Sequence, residues 1–128
     1  MRAPVILDVN PDADALGWEQ DWLGRLDLPV VTCRGPHESW RCPLLAGRPC
    51  GKVERADGIL FQLDLDRPDH REILRRYTEL DVPIRVVVAP DQAVRYRDLL
   101  RPVEVFTPPI GPAKLDAFAA EVESELVE

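Results

Sequence analysis

The sequence predicts a doubly wound α/β domain: five parallel strands in the order 2-1-3-4-5, with helices on both faces of the sheet. Three observations carry that expectation. Short β-branched runs alternate with helix-period stretches along the chain, the pattern of strand–helix–strand units. There are few alternating-polarity hairpins and no Asn-Gly turn pair, so consecutive strands are not expected to pair antiparallel. The stretch Ala56–Asp66 reads as a strand apolar on both faces and ending in carboxylates, as a central parallel strand should. Right-handed crossovers narrow the options to a flavodoxin-like sheet.

The first strand is Pro4–Val9, followed by the turn residues Asn10-Pro11-Asp12. Asp12 or Asp14 can cap a helix over about Ala13–Leu26, since a short side-chain oxygen accepts from the free N–H groups of a first turn. Ala15, Leu16, Trp18, Trp22, Leu23 and Leu26 form its apolar face, and Glu19 points toward the middle of it. The carboxylate is expected to escape at the helix edge, because unpaired buried charge is rare. Pro29–Cys33 is the second strand. The Gly- and Pro-rich region Arg34–Glu54, which also holds Trp40, is expected to be a long loop in place of a regular second helix. Within it, Leu44–Ala46 can make one helical turn.

After the central strand, Ile73, Leu74, Tyr77 and Leu80 mark an amphipathic helix over Pro68–Leu80. Pro83–Ala89 is the fourth strand, a short helix spans about Gln92–Leu100, and Val103–Thr107 is the fifth strand. Pro112 opens a last helix whose buried stripe is Leu115, Phe118, Ala119, Val122 and Leu126.

At 128 residues, 45% hydrophobic and 30% charged, the chain is expected to be one globular domain spanning residues 1–128. Its net charge of -7 argues against nucleic acid, which needs a basic stripe, and against an anionic membrane surface. No apolar run approaches the roughly 20 residues that span a bilayer, and no signal-peptide pattern is present. A cytoplasmic location is expected. Arginine in excess over lysine, with 13 prolines, hints at a GC-rich bacterial genome.

With its strands placed in this way, the chain resembles a response-regulator receiver domain over nearly its whole length, most loosely between Arg34 and Glu54. In receivers the third strand ends in a phosphoacceptor aspartate and a proline follows four residues later; Asp64 and Pro68 stand in that relation. Val82–Ala89 resembles the fourth receiver strand. Val105-Phe106-Thr107-Pro108-Pro109 resembles the fifth, where a Lys-Pro pair is usual. The resemblance implies an aspartyl phosphate, a magnesium ion held by acidic residues, and a lysine and a hydroxyl on the phosphoryl group.

Position by position, Asp8 matches the first of the acidic pair and Val9 falls on the second. Val88 falls on the hydroxyl and Pro108 on the lysine. Counting back from Pro68 selects Asp64 as phosphoacceptor, whereas counting forward from Asp57 selects Gln62, and both remain open. Asp8, Asp64 and Asp66 thus mark the candidate phosphoacceptor region. With the lysine and hydroxyl missing, Asp64 and Asp66 are expected to cap the next helix instead.

Cys33-x3-His37-x4-Cys42-x7-Cys50 supplies the ligand types of a Cys3His zinc site or an iron–sulfur site, without a Cys-x2-Cys knuckle. Free thiols, a metal or cluster, and a Cys42–Cys50 disulfide or redox pair all remain open. The leading expectation is a non-enzymatic, phosphorylation-independent receiver-like domain that contacts a protein partner or a second copy. As the resemblance implies, it would do so through Val94–Leu100 with Val103–Val122. The alternatives are a metal or thiol-redox sensor at Cys33–Cys50, and a working phosphoacceptor using Asp64, Asp8 and magnesium.

Overall fold

The computed structural model describes residues 3–37 and 41–127. Trp40 and the side chain of Leu126 lie outside the described residues. Five strands, β1 (Ile6–Val9), β2 (Val30–Cys33), β3 (Gly58–Phe61), β4 (Ile84–Val87) and β5 (Glu104–Phe106), form one sheet in the order β2-β1-β3-β4-β5. Every pairing is parallel, and the register sets Ile6 opposite both Val30 and Gly58, and Asp8 opposite Leu60. Sheet order and direction are those the sequence predicts.

Side chains alternate across this sheet and build two cores. On one face, Leu7, Val9, Ile59, Phe61 and Val86 pack under helix α3 (Pro68–Thr78), which contributes Ile73, Leu74 and Tyr77. Phe61 meets the Tyr77 ring edge-on at 6.0 Å. On the other, Ile6 and Leu60 pack against Leu23 of α1 (Ala13–Arg25) and against Leu115, Phe118, Ala119 and Val122 of α6 (Pro112–Val127). Asp12 caps α1, its carboxylate accepting from the backbone N–H groups of Asp14 and Ala15.

Among the described residues from Arg34 to Glu54, the helical elements are a 3-10 turn, Pro43–Ala46, and a single-turn helix α2, Gly51–Glu54. The helix expected over Gln92–Leu100 is divided into α4 (Pro90–Arg95) and α5 (Arg97–Leu100). Pro90 starts it early, since a fixed φ suits a first helical position. Tyr96, at φ -111° and ψ 28°, interrupts it. Arg85 on β4 is buried, yet it pairs with Glu104 and Glu121 and lies over the rings of Phe106 and Phe118. Among the described residues, no helix is long and apolar enough to cross a membrane.

Gly58 begins the central strand because α6 leaves no room for a side chain there: a Cβ would overlap Val122 and touch Phe118. Gly58→Ala must push α6 outward. It is expected to cost about 1–3 kcal/mol, the usual penalty of overpacking, read as a lower urea midpoint with an unchanged slope.

Candidate functional site

Loops at the carboxyl ends of the strands are where doubly wound sheets place ligands. At that end, β1 and the residue after β3 present Asp8 and Gln62 to the face covered by α1, and α1 presents Glu19. The Gln62 side-chain amide donates to Asp8 Oδ1 at 3.0 Å and to Glu19 Oε1 at 2.9 Å. Asp8 is 0% exposed and Glu19 2%. Glu19 therefore does not escape at the helix edge as expected. The amide gives it a partner inside, which removes the cost of burying an unpaired charge.

Asp8 Oδ2 is buried and has no hydrogen-bond partner among the described residues. Burial, then repulsion by the Glu19 carboxyl and hydrogen bonding with it, push the Asp8 carboxyl up to about 9 from its ordinary value of 3.8. At neutral pH the Asp8 carboxyl therefore holds a proton. Such an arrangement does not fit magnesium, the ion the receiver resemblance implies. The amide N–H groups lie between the carboxyls where a cation would need oxygen ligands, and Val9 occupies the place of the second acidic residue.

Asp64 and Asp66 sit elsewhere, on the loop between β3 and α3. They do not cap α3: Arg67 is the N-cap residue and makes no side-chain cap bond. Asp64 Oδ1 accepts from the Asp66 backbone N–H at 3.0 Å and from the Gln92 amide at 2.8 Å. Asp66 accepts from the Tyr96 hydroxyl and from Arg95 Nη1, each at 2.6 Å, and from Gln92 at 3.2 Å. These bonds, the one from Tyr96 foremost, hold the Asp66 carboxyl below the usual range. The carboxylates are thus engaged by α4 and Tyr96 rather than by the helix that follows them. His70 also turns to this loop, its Nδ1 lying 2.7 Å from the Asp64 carbonyl oxygen.

The remaining receiver positions are apolar. Val88 is buried in the core, and Pro108 precedes Pro109 beyond β5. Lys114, on α6, donates to the Thr107 carbonyl at 2.9 Å. Cys33, Cys42 and Cys50 are unbridged and buried in the same core as Tyr77, whereas His37 is exposed. Burial pushes the thiols of Cys33 and Cys42 up, disfavouring the thiolate that both metal binding and disulfide exchange need. Among the described residues, no three His, Cys, Asp or Glu side chains are grouped to hold a metal ion.

Sequence reasoning picked out Asp8 and weighed Gln62 against Asp64, but it missed four participants: Glu19 as an inward partner, and Gln92, Arg95 and Tyr96 as partners of the loop. The helical angle of Glu19 was the available signal. Nothing local marks Gln92 or Tyr96, which reach Asp64 and Asp66 across 26 to 30 residues.

No protein-family model matches this sequence, and no curated protein matches it. Solved structures do. A response-regulator receiver domain protein from Methanospirillum hungatei JF-1 shares 18% identity at a TM-score of 0.66, over 97% of this chain and 99% of that one. A two-component response regulator from Clostridium difficile shares 15% identity at a TM-score of 0.71, over 98% and 99%. A structure described as adenylate cyclase from Rhodopirellula baltica shares 15% identity at a TM-score of 0.66, over 98% of each chain. The chain has the receiver-domain fold.

The buried acid pair sets a pH dependence. An unfolded chain releases the Asp8 proton near 3.8, whereas the folded protein keeps it to about 9. Folding therefore takes up a proton across that window, and stability falls as pH rises through it. Asp8→Asn keeps a donor toward Glu19 and removes the titration. Relative to wild type, the variant should gain about 4 kcal/mol more at pH 8 than at pH 5, roughly 1.4 kcal/mol for each pH unit of that window, measured by urea unfolding. An equal effect at both pH values would show that Asp8 does not carry this proton.

Proposed function

We propose that this chain is a regulatory module with the receiver fold that engages a protein partner without using aspartyl phosphate. The observation that carries this reading is the Gln62 amide seated between Asp8 and Glu19. Gln62 is the residue reached by counting forward from Asp57, and an amide is no nucleophile toward a phosphoryl group. The cation site beside it is neutralised by a proton and by N–H donors. Asp64, the other candidate acceptor, is exposed and bound to Gln92. Phosphoryl transfer depends on fixed positive charge at the transferred oxygens, and the receiver positions that would supply it hold Pro108 and Val88.

The partner surface in this reading is the edge made by α4, α5, β5 and α6. Val94 is 65% exposed and Val105 38% exposed there. Around them lie charges of both signs, Asp91, Arg95, Arg97, Asp98 and Arg101. A patch with both signs is suited to meeting its own copy about a two-fold axis, because each acidic group can face a basic one. Phosphorylation is not needed to set this surface, since Asp66 already ties Arg95 and Tyr96 to the loop after β3.

Incubation with magnesium and acetyl phosphate should leave the intact mass unchanged, and beryllofluoride should leave the amide spectrum around residues 62–66 unchanged. A phosphoryl adduct on Asp64 would refute phosphate independence. Separately, the paired change Val94→Asp with Val105→Glu should shift sedimentation toward the monomer. A wild-type chain that is already monomeric at high concentration would remove the two-fold contact from the reading.

A further inference from the structure

We propose that the outer face formed by α1 and α6 docks a basic amphipathic helix of a partner protein. The face is centred on Trp18 and Trp22, one turn apart on α1, with Leu26 a turn further on. Trp18 is 42% exposed and Leu26 39%. The two indoles stack, with centroids 6.4 Å apart and planes 21° from parallel. Trp22 Nε1 donates to Asp116 Oδ1 at 2.9 Å, which fixes the pair from the neighbouring helix α6. The exposed surface of α6 next to Asp116 carries Ala113, Ala117 and Ala120, small side chains that let a second backbone come close.

Charge selects the partner. Residues 12–27 and 112–127 together hold nine Asp or Glu against Arg25 and Lys114, a net of -7 that equals the net charge of the chain. The remaining residues are formally neutral. Both bases are engaged: Arg25 pairs with Asp21 at 3.1 Å, and Lys114 donates to the Thr107 carbonyl and lies over the Phe106 ring. Of the acids, Glu19 is buried and Glu121 pairs with Arg85. Asp14, four residues before Trp18 on the same side of α1, is exposed. Asp116 accepts from a neutral indole, so its charge stays in place. The tryptophans thus sit between carboxylates of two helices, an aromatic centre with a charged rim, which is the anatomy of a protein interface.

An acidic rim rejects a second copy of the same face, an anionic membrane and nucleic acid. The face is built of helices, so a bound segment is recognised through its side chains, as a docked helix is, rather than by strand addition. Trp18 to Leu26 spans about 12 Å of helix axis at 1.5 Å per residue. An apolar stripe of about two to three turns covers that length, and lysines or arginines on its flanks reach Asp14 and Asp116. The face lies on the α1 side of α6 and uses neither Val94 nor Val105, so it stands or falls apart from the α4–β5 edge.

The test is titration of the full chain with a synthetic helix of about five turns, leucine on one face and lysine on the other, followed by amide NMR. Saturable one-to-one binding is expected, with shifts centred on residues 14–26 and 113–120, and affinity should fall as salt rises. The analogue with glutamate in place of lysine should not bind. Trp18→Ala should weaken the lysine peptide by about tenfold or more, as loss of an aromatic anchor does. The paired change Asp14→Asn with Asp116→Asn keeps an acceptor for the Trp22 indole. It should weaken binding about fivefold and flatten the salt dependence, with the thermal midpoint of the chain little changed. The proposal is overturned by absence of saturation, by shifts centred elsewhere, by equal binding of the two peptides, or by full affinity in either variant.

Discussion

Two carboxyl groups buried against the same amide impose most of what is distinctive at the carboxyl end of this sheet. Asp8 and Glu19 are both withdrawn from water, and two charges in such a place repel and lose hydration together. The arrangement is tolerated because Gln62 gives one N–H to each and because one proton remains bound. A nucleophilic carboxylate in place of Gln62 would bring a third carboxyl group into the same volume. It would then need a cation, which is how the receiver chemistry implied by resemblance works. Here an amide and a proton replace that cation.

Much of the fold was legible because it rests on local pattern. The β-branched runs at Ile6–Val9 and Ile84–Val87, and the apolar run of Gly58–Phe61, bury both faces and so read as parallel strands without tertiary information. The site was legible to a lesser degree. Asp8 stands out at the end of an apolar strand, but the role of Glu19 depends on a partner 43 residues away. The rule that carboxylates leave apolar faces holds only while no donor waits inside, and sequence alone does not reveal the donor. Asp64 and Asp66 failed to cap α3 for the same reason. Donors from Gln92, Arg95 and Tyr96, remote in sequence, claimed those oxygens.

The break between α4 and α5 belongs to the same account. Helix pattern alone favours one continuous element over residues 92–100, whereas the chain leaves helical geometry at Tyr96. Its hydroxyl bonds to Asp66, and its ring stacks under the guanidinia of Arg71 and Arg95, at 5.2 and 5.8 Å. Arg71 in turn donates to the Leu65 carbonyl at 2.8 Å. A short loop, the start of α3 and the α4–α5 break are thereby joined through one aromatic ring. Exposed ion pairs contribute little singly, so the strength of this junction lies in several of them sharing Tyr96.

That junction bears on how a regulatory signal could reach the exposed α4–β5 edge. In a phosphate-driven domain the end of β3 must be able to rearrange, so its carboxylates cannot be committed to fixed partners. In this chain Asp64 and Asp66 are committed, and the residue facing Asp8 is a neutral amide. The edge is therefore held in one arrangement by bonds present in the unmodified protein. Under the proposed reading, an input that changes it would act on those bonds, or on the 3-10 turn Pro43–Ala46 that packs beside α3, rather than through charge added at the end of β3.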